Sequence, residues 1–363
     1  MKKIAFIPWD SSIHDDNIYC PRDDWYVDSH ILLSRYLKTR DAQIHTIDMY
    51  RDINEIDCFL FSKLDYKWMV KVAGIKAMDR AVYWSAEPPV VVDVNCKEGY
   101  DKILQYFGNV MTWNPDLVDN KRIFIRNIPY MFDKHFGDLS KEAYDRKKLM
   151  TNISGDKTSN HPKEMYSERE KVITWFENNH IDEFDLYGFG WNKGKHPSYQ
   201  GTVSSKFDTY HKYKFALCLE NMKDVKGYIT EKICDCLTAG IVPVYYGASD
   251  IAKYVPKDCY IDYSQFASID EMYQYLKDMT YDTYMEYIHN IERYVDDPAY
   301  EPFNEKFLGD AILKVINEGY HEKMVVPPMT YTKWKFKALK VDCNNKIMKL
   351  RIKLGEIRHG RKA

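Results

Sequence analysis

Short, almost purely apolar runs alternate along this chain with longer stretches in which apolar residues recur at helical spacing. Residues 3–9 (KIAFIPW), 43–48 (QIHTID), 57–62 (DCFLFS), 81–85 (AVYWS), 109–115 (NVMTWNP) and 123–126 (RIFI) read as strands, with helices over 28–38 and 64–79. A second series opens with KLMTNIS at 148–154, then a polar, loop-like stretch at 154–163. A helix follows over Ser167–Asn179, with Val172, Ile173 and Phe176 on one face, and then the run DLYGFGW at 185–191. Tyr213–Leu219 reads as a strand, 222–227 as a loop, and Tyr228–Ala239 as a helix carrying Ile229, Ile233, Cys236 and Leu237 at helical spacing. Gly240 stands as its C-terminal cap, and Ile241–Tyr246 reads as a buried parallel strand. The stretch Ser268–Asp297 is mostly helical. Strands alternating with helices predict an α/β fold with parallel sheets. Neither GxGxxG nor GxxxxGKS occurs, so no phosphate-loop motif announces it.

Length and composition narrow the picture. A chain of 363 residues predicts two domains. With 45% hydrophobic and 29% charged residues and a mean hydropathy of −0.54, the composition is that of a soluble globular protein. The N-terminal apolar run ends at Trp9, too soon for a signal peptide, and no stretch approaches a membrane span. The eight cysteines lack zinc-site spacing, and a reducing cytoplasm is the simplest setting for them.

Charge separates the end of the chain from its body. Residues 331–363 carry eleven Lys/Arg against two Asp/Glu, a net of +9, which leaves the first 330 residues at −11 against a total of −2. Ile347, Leu350, Leu354 and Ile357 repeat there at heptad spacing between basic residues, with Trp334 and Phe336 upstream. A basic amphipathic helix on an anionic membrane surface is the first reading, which makes the protein peripheral on the inner face of the cell membrane. Self-association through the same stripe is the second. Nucleic acid is not an expected partner, because the acidic body offers no matching basic face.

Candidate chemistry concentrates at one corner. Asn221, Tyr228, Glu231 and Lys232 fall where a strand ends and the next helix begins, the place where open α/β sheets bind ligands and helices receive anions. Singly, each has a plain reading: Glu231 suits a helix dipole, Lys232 a solvated surface and Tyr228 a packing site. Together, an amide, a phenol, a carboxylate and an ammonium suit a sugar nucleotide.

The run FALCLEN…GYITEKICDCLTAGIVPVYYG, followed by VPKDCYIDYSQF, resembles the donor-binding motif of the α-1,3/4-fucosyltransferases, glycosyltransferase family 10. The resemblance is specific over roughly 210–270. It implies a GT-B architecture of two Rossmann-like domains facing a cleft: 1–146 on the acceptor side, 147–330 binding the GDP-sugar, and the basic tail 331–363. It implies inverting transfer of L-fucose from GDP-β-L-fucose to a hydroxyl, O3, of an N-acetylglucosamine-containing glycan such as N-acetyllactosamine or a surface polysaccharide. Glu87, in WSAEPP, then matches in part the family's general base, although a glutamate before a proline turn is equally an ordinary surface residue. Arg169 resembles the family's diphosphate arginine, against the plain reading of a surface arginine paired with Glu168 and Glu170. The same resemblance implies that Lys232 is a second phosphate ligand and that Asn221, Tyr228 and Glu231 contact sugar, ribose or phosphate. Asp-x-Asp is absent from the sequence, so no divalent metal is expected to be required, with positive side chains in its place. The loop 190–201, with Lys193, Lys195 and His196, either closes over the diphosphate or is simply solvated. Alternatives are a transferase for another GDP-sugar, or a non-catalytic glycan-binding protein on the same fold.

Overall fold

In the computed structural model, which describes residues 1–10, 12–19, 25–127, 130, 134–297, 303–341 and 343, the strands gather into two parallel sheets. The first half runs β1 (Lys2–Ile7), α1 (Trp25–Thr39), β2 (Ala42–Thr46), β3 (Cys58–Phe61), α2 (Tyr66–Gly74), β4 (Ala81–Trp84), α3 (Lys97–Ile103), β5 (Asn109–Thr112) and β6 (Ile123–Ile125). The second runs α4 (Lys141–Arg146), β7 (Lys148–Ile153), α5 (Tyr166–Asn179), β8 (Phe184–Tyr187), α6 (Lys206–Tyr210), β9 (Tyr213–Leu219), α7 (Glu231–Ala239), β10 (Val242–Tyr246), β11 (Ile261–Asp262), α8 (Ile269–Asp278) and α9 (Tyr281–Asp296). A further helix, α10 (Glu305–Glu318), follows.

The strand orders explain where a ligand can sit. The first sheet is ordered β2-β1-β3-β4-β5-β6 and the second β11-β10-β9-β7-β8. Taken from β8, the second sheet repeats the opening order of the first. In both, the direction of winding reverses between the first and third strands, and such a reversal opens a crevice at the carboxyl ends. The β1/β3 and β7/β9 crevices open on the same cleft, the first contributing Phe6 and Lys63 and the second Asn152, Ser154 and Asn221. This is the GT-B arrangement.

Pleating sorts the apolar runs into cores. Along β1, Ile4 and Phe6 enter one core and Ala5 and Ile7 the other; along β3, Leu60 and Phe59 separate in the same way. Every residue of β3 and β4 is buried, because helices cover both faces, and so these runs show no polar alternation.

The C-terminal segment departs from the division at 147 and 330. On α10, Leu308, Ile312 and Val315 pack with Ile4, Phe6 and Leu33 in the first half's core. Gly309 permits the approach to α1, since a Cβ there would lie 2.5 Å from Tyr36 Cδ1. Residues 328–341 are helical, and Trp334 is buried in the other core of the first sheet, edge-on to Tyr106 at 5.3 Å. After completing the second sheet, the chain returns to cover the first, because the apolar faces of α10 and Trp334 complete cores that the N-terminal elements leave open. The heptad positions Ile347, Leu350, Leu354 and Ile357 lie outside the described residues. Among those described, no helix is long and apolar enough to cross a membrane.

Candidate active site

A cavity of about 920 Å³ lies between the carboxyl ends of the two sheets. All six residues singled out in the sequence line it: Glu87 from the first half, and Arg169, Asn221, Tyr228, Glu231 and Lys232 from the second.

The β9–α7 corner is built around a buried carboxylate. Helix α7 starts at Glu231, three residues later than its periodicity predicts. Gly227 turns the chain at φ +71°, and Thr230, extended, caps the helix by accepting from Lys232 N at 3.4 Å. Tyr228 therefore stays in the loop and packs its ring 5.0 Å from that of Trp113 in the first half. Asn221 Nδ2 donates to its hydroxyl at 3.3 Å. Glu220 is wholly buried and accepts from Thr230 N at 2.8 Å, Thr230 Oγ1 at 2.7 Å and Lys232 Nζ at 3.1 Å. Gly247 makes room for it, since a Cβ there would fall 2.4 Å from Glu220 Cγ. Burial works against the Lys232 ammonium, but Glu220 and Glu231 outweigh it and hold the group charged. For Glu231, burial pushes the carboxyl up; Lys232, Lys206 and its own amide at the helix start pull it down, and the balance lies below the usual range.

Arg169 is no surface arginine. It is 2% exposed, one turn into α5, and Nη2 donates to Leu219 O at 2.7 Å at the end of β9. Its Nε is buried with no protein partner. The flanking acids serve elsewhere: Glu168 takes Lys171 and the Tyr263 hydroxyl, and Glu170 takes Lys195. The guanidinium keeps donor capacity in the cavity wall because, among the described residues, no carboxylate claims it.

Glu87 faces this corner from the first half. Its backbone carbonyl accepts from Asn95 Nδ2 at 2.6 Å, and Asn95 Oδ1 accepts from the Tyr83 hydroxyl at 2.8 Å, so β4 and the turn are tied together. The residue is exposed yet lines the cavity between the two walls. Crowding there raises its carboxyl above the usual range; Lys232 and Lys157 oppose the rise, and Glu231 and Glu220 reinforce it. Arg126 stacks its guanidinium 4.6 Å over Trp84 and donates to Ser85 O at 3.2 Å, holding the same strand end.

Six charged lining residues escaped the sequence reading: Lys63, Asp93, Arg126, Lys157, Lys206 and Asp235. Asp235, one turn beyond Glu231, could have been found by i,i+4 spacing. Its carboxylate is buried, pairs with Lys206 and accepts from the Tyr130 hydroxyl at 2.6 Å. Glu220 was overlooked too, although it adjoins Asn221, because burial of a carboxylate cannot be read from its neighbours. The loop with Lys193, Lys195 and His196 does not line the cleft. His196 is buried, 3.2 Å from Glu177 and 3.4 Å from Glu170, so that stretch is anchored to α5 and is not simply solvated.

Comparison with known proteins agrees with this geometry. The family model described as "Glycosyltransferase family 10 (fucosyltransferase) C-term" matches residues 145–305. An α-(1,4)-fucosyltransferase of Arabidopsis thaliana is 45% identical over 65 residues, 18% of this chain and 16% of the relative. The α-(1,3)-fucosyltransferase FucT of Helicobacter pylori is 32% identical over 103 residues, 28% of this chain and 20% of the relative. These matches thus span a fifth or less of the relatives' own lengths. A crystal structure of an α1,3-fucosyltransferase with GDP shares the fold, with a TM-score of 0.54 at 16% identity, over 90% of this chain and 93% of that one. Residues 145–305, less than half of the chain, thus match the fucosyltransferase domain of glycosyltransferase family 10.

Proposed function

We propose that this protein is an inverting fucosyltransferase that moves L-fucose from GDP-β-L-fucose to a hydroxyl, O3, of an N-acetylglucosamine-containing glycan. The observation that carries the proposal is a pairing across one cavity: Glu87, a carboxylate of raised basicity, lines one wall, and Arg169 with Lys232 lines the other. Group transfer from a nucleotide donor needs a base for the acceptor proton and cations for the leaving diphosphate. Glu87 takes the proton as the acceptor oxygen bonds to the anomeric carbon. The bond from that carbon to the diphosphate oxygen breaks, GDP leaves with the electron pair, and the configuration inverts in one displacement. Arg169 meets the leaving charge through the Nε that no protein group occupies, and Lys232 adds a second cation. Asn221, Tyr228 and Glu231 hold hydroxyls of the sugar or ribose.

Side-chain cations do the work here that a divalent ion does elsewhere, and no metal is required. The basic tail 331–363, whose start is held on the first sheet by Trp334, attaches the enzyme to an anionic membrane surface from the cytoplasmic side. GDP release from GDP-fucose, followed with and without N-acetyllactosamine in chelator, tests the proposal. Release that depends on acceptor and survives chelation is expected. A protein that binds the glycan but turns over no GDP-sugar would be a binding protein.

A further inference from the structure

Phe189 presents an unusual combination of exposure and rigidity. Its side chain is 77% exposed, the most exposed phenylalanine of the described chain, and it lines the cavity. The turn that carries it is pinned on all sides. Gly188 N donates to Gly201 O at 3.0 Å, Asp156 N donates to Phe189 O at 2.8 Å, and the Tyr199 hydroxyl donates to Gly188 O at 2.8 Å. Trp191 Nε1 donates to Ser154 O at 2.7 Å just beyond. Gly188 adopts φ +124° and lies so close to β7's end that a Cβ would fall 1.9 Å from Ser154 O. A left-handed, hydrogen-bonded turn that holds a bare aromatic ring in a cleft is organised for a flat partner, because exposed apolar area is unfavourable until something covers it.

Position identifies the partner. β8 is the edge strand, and β7 separates it from β9, whose end carries the Arg169 and Lys232 corner. Two strand spacings are about 9–10 Å, the reach of a ribose between a diphosphate and its base. We infer that Phe189 is the stacking platform for the purine of the donor nucleotide, which lies along the strand ends with its diphosphate at β9 and its base at β8. Polar groups at the end of β7 line the path between: Asn152, Ser154 and Lys157. This inference rests on the nucleotide-sugar reading above and adds the direction in which the nucleotide lies.

The test is calorimetric titration of GDP and of inorganic pyrophosphate into the wild-type chain, Phe189→Ala and Phe189→Trp, with thermal unfolding as a check on the fold. Base–aromatic stacking predicts that Phe189→Ala weakens GDP on the order of tenfold or more while leaving pyrophosphate unchanged, and that Phe189→Trp restores GDP affinity. Equal affinity of wild type and Phe189→Ala for GDP would overturn the platform and leave the proposed activity standing. Equal loss of GDP and pyrophosphate would also overturn it, since the ring would then act on the fold of the site. A wild-type chain that binds no GDP overturns the nucleotide reading itself, and the platform with it.

Discussion

Glu220 Oε2 and Lys232 Nζ lie 3.1 Å apart, the carboxylate wholly buried and the ammonium 20% exposed to the cleft. The cation that faces the cleft is therefore held from behind by a charge that the cleft does not reach. Removing one partner of a buried pair strands the other, so Glu220→Ala is expected to cost roughly 3–5 kcal/mol in denaturant unfolding, with Thr230 N orphaned as well. Glu220→Gln keeps the shape but lifts a negative charge from behind Lys232. It should lower stability less while leaving GDP affinity equal or higher. Unchanged unfolding of Glu220→Ala would show that the pair is not structural.

Glu87 carries opposite expectations for rate and stability. As the proposed general base it acts when ionised, so Glu87→Gln should reduce kcat by roughly 10²–10⁴ with GDP affinity intact. Its carboxyl is raised by crowding, so activity should fall with decreasing pH through a limb above the usual glutamate range, and the variant should lose that limb. The sign for folding follows from the same shift. A group whose folded value is raised opposes folding once ionised, so Glu87→Gln should melt higher than wild type at pH 7. A parallel fall in activity and melting temperature would make Glu87 structural.

Gly247 links the backbone to the charge pair. An added Cβ would meet Glu220 Cγ at 2.4 Å and the Tyr245 hydroxyl at 2.7 Å, both inside the core. Gly247→Ala must displace the carboxylate and with it Lys232. An overpacked site of this kind costs about 1–3 kcal/mol, and weaker GDP binding should accompany the loss. Calorimetry on the folded variant checks it; full GDP affinity would show that Glu220 can move without its partner.

The sequence made the α/β alternation legible because buried parallel strands write continuous apolar runs, as at Phe59–Phe61 and Ala81–Trp84. The corner at Asn221–Lys232 was legible because its charged residues sit inside one local motif. What was not legible depends on distance along the chain. The start of α7 moved from Tyr228 to Glu231 because a glycine turn and a threonine cap outrank apolar spacing. Glu220 and Arg169 are buried by elements 50 residues apart, and spacing cannot report that. The return of α10 and Trp334 to the first sheet was hidden for the same reason: an amphipathic helix states which face it buries, but not against what.

Trp334 provides a test of that return. It is 6% exposed and meets Tyr106 edge-on, while Phe336, two residues on, is 68% exposed. The helix at 328–341 is thus anchored by this buried ring and, at the surface, by Lys337, whose Nζ donates to the Tyr66 hydroxyl at 3.0 Å. Truncating a buried tryptophan costs about 3–5 kcal/mol where the site cannot collapse, but a peripheral helix can detach instead of unfolding the domain. Trp334→Ala should therefore speed hydrogen exchange across 328–341 and expose this segment to protease, with melting of the body lowered only modestly. GDP release should persist, because no residue of that helix lines the cleft. Loss of turnover on this substitution would mean that the C-terminal helix supports the acceptor wall, and that the two sheets depend on it for their approach.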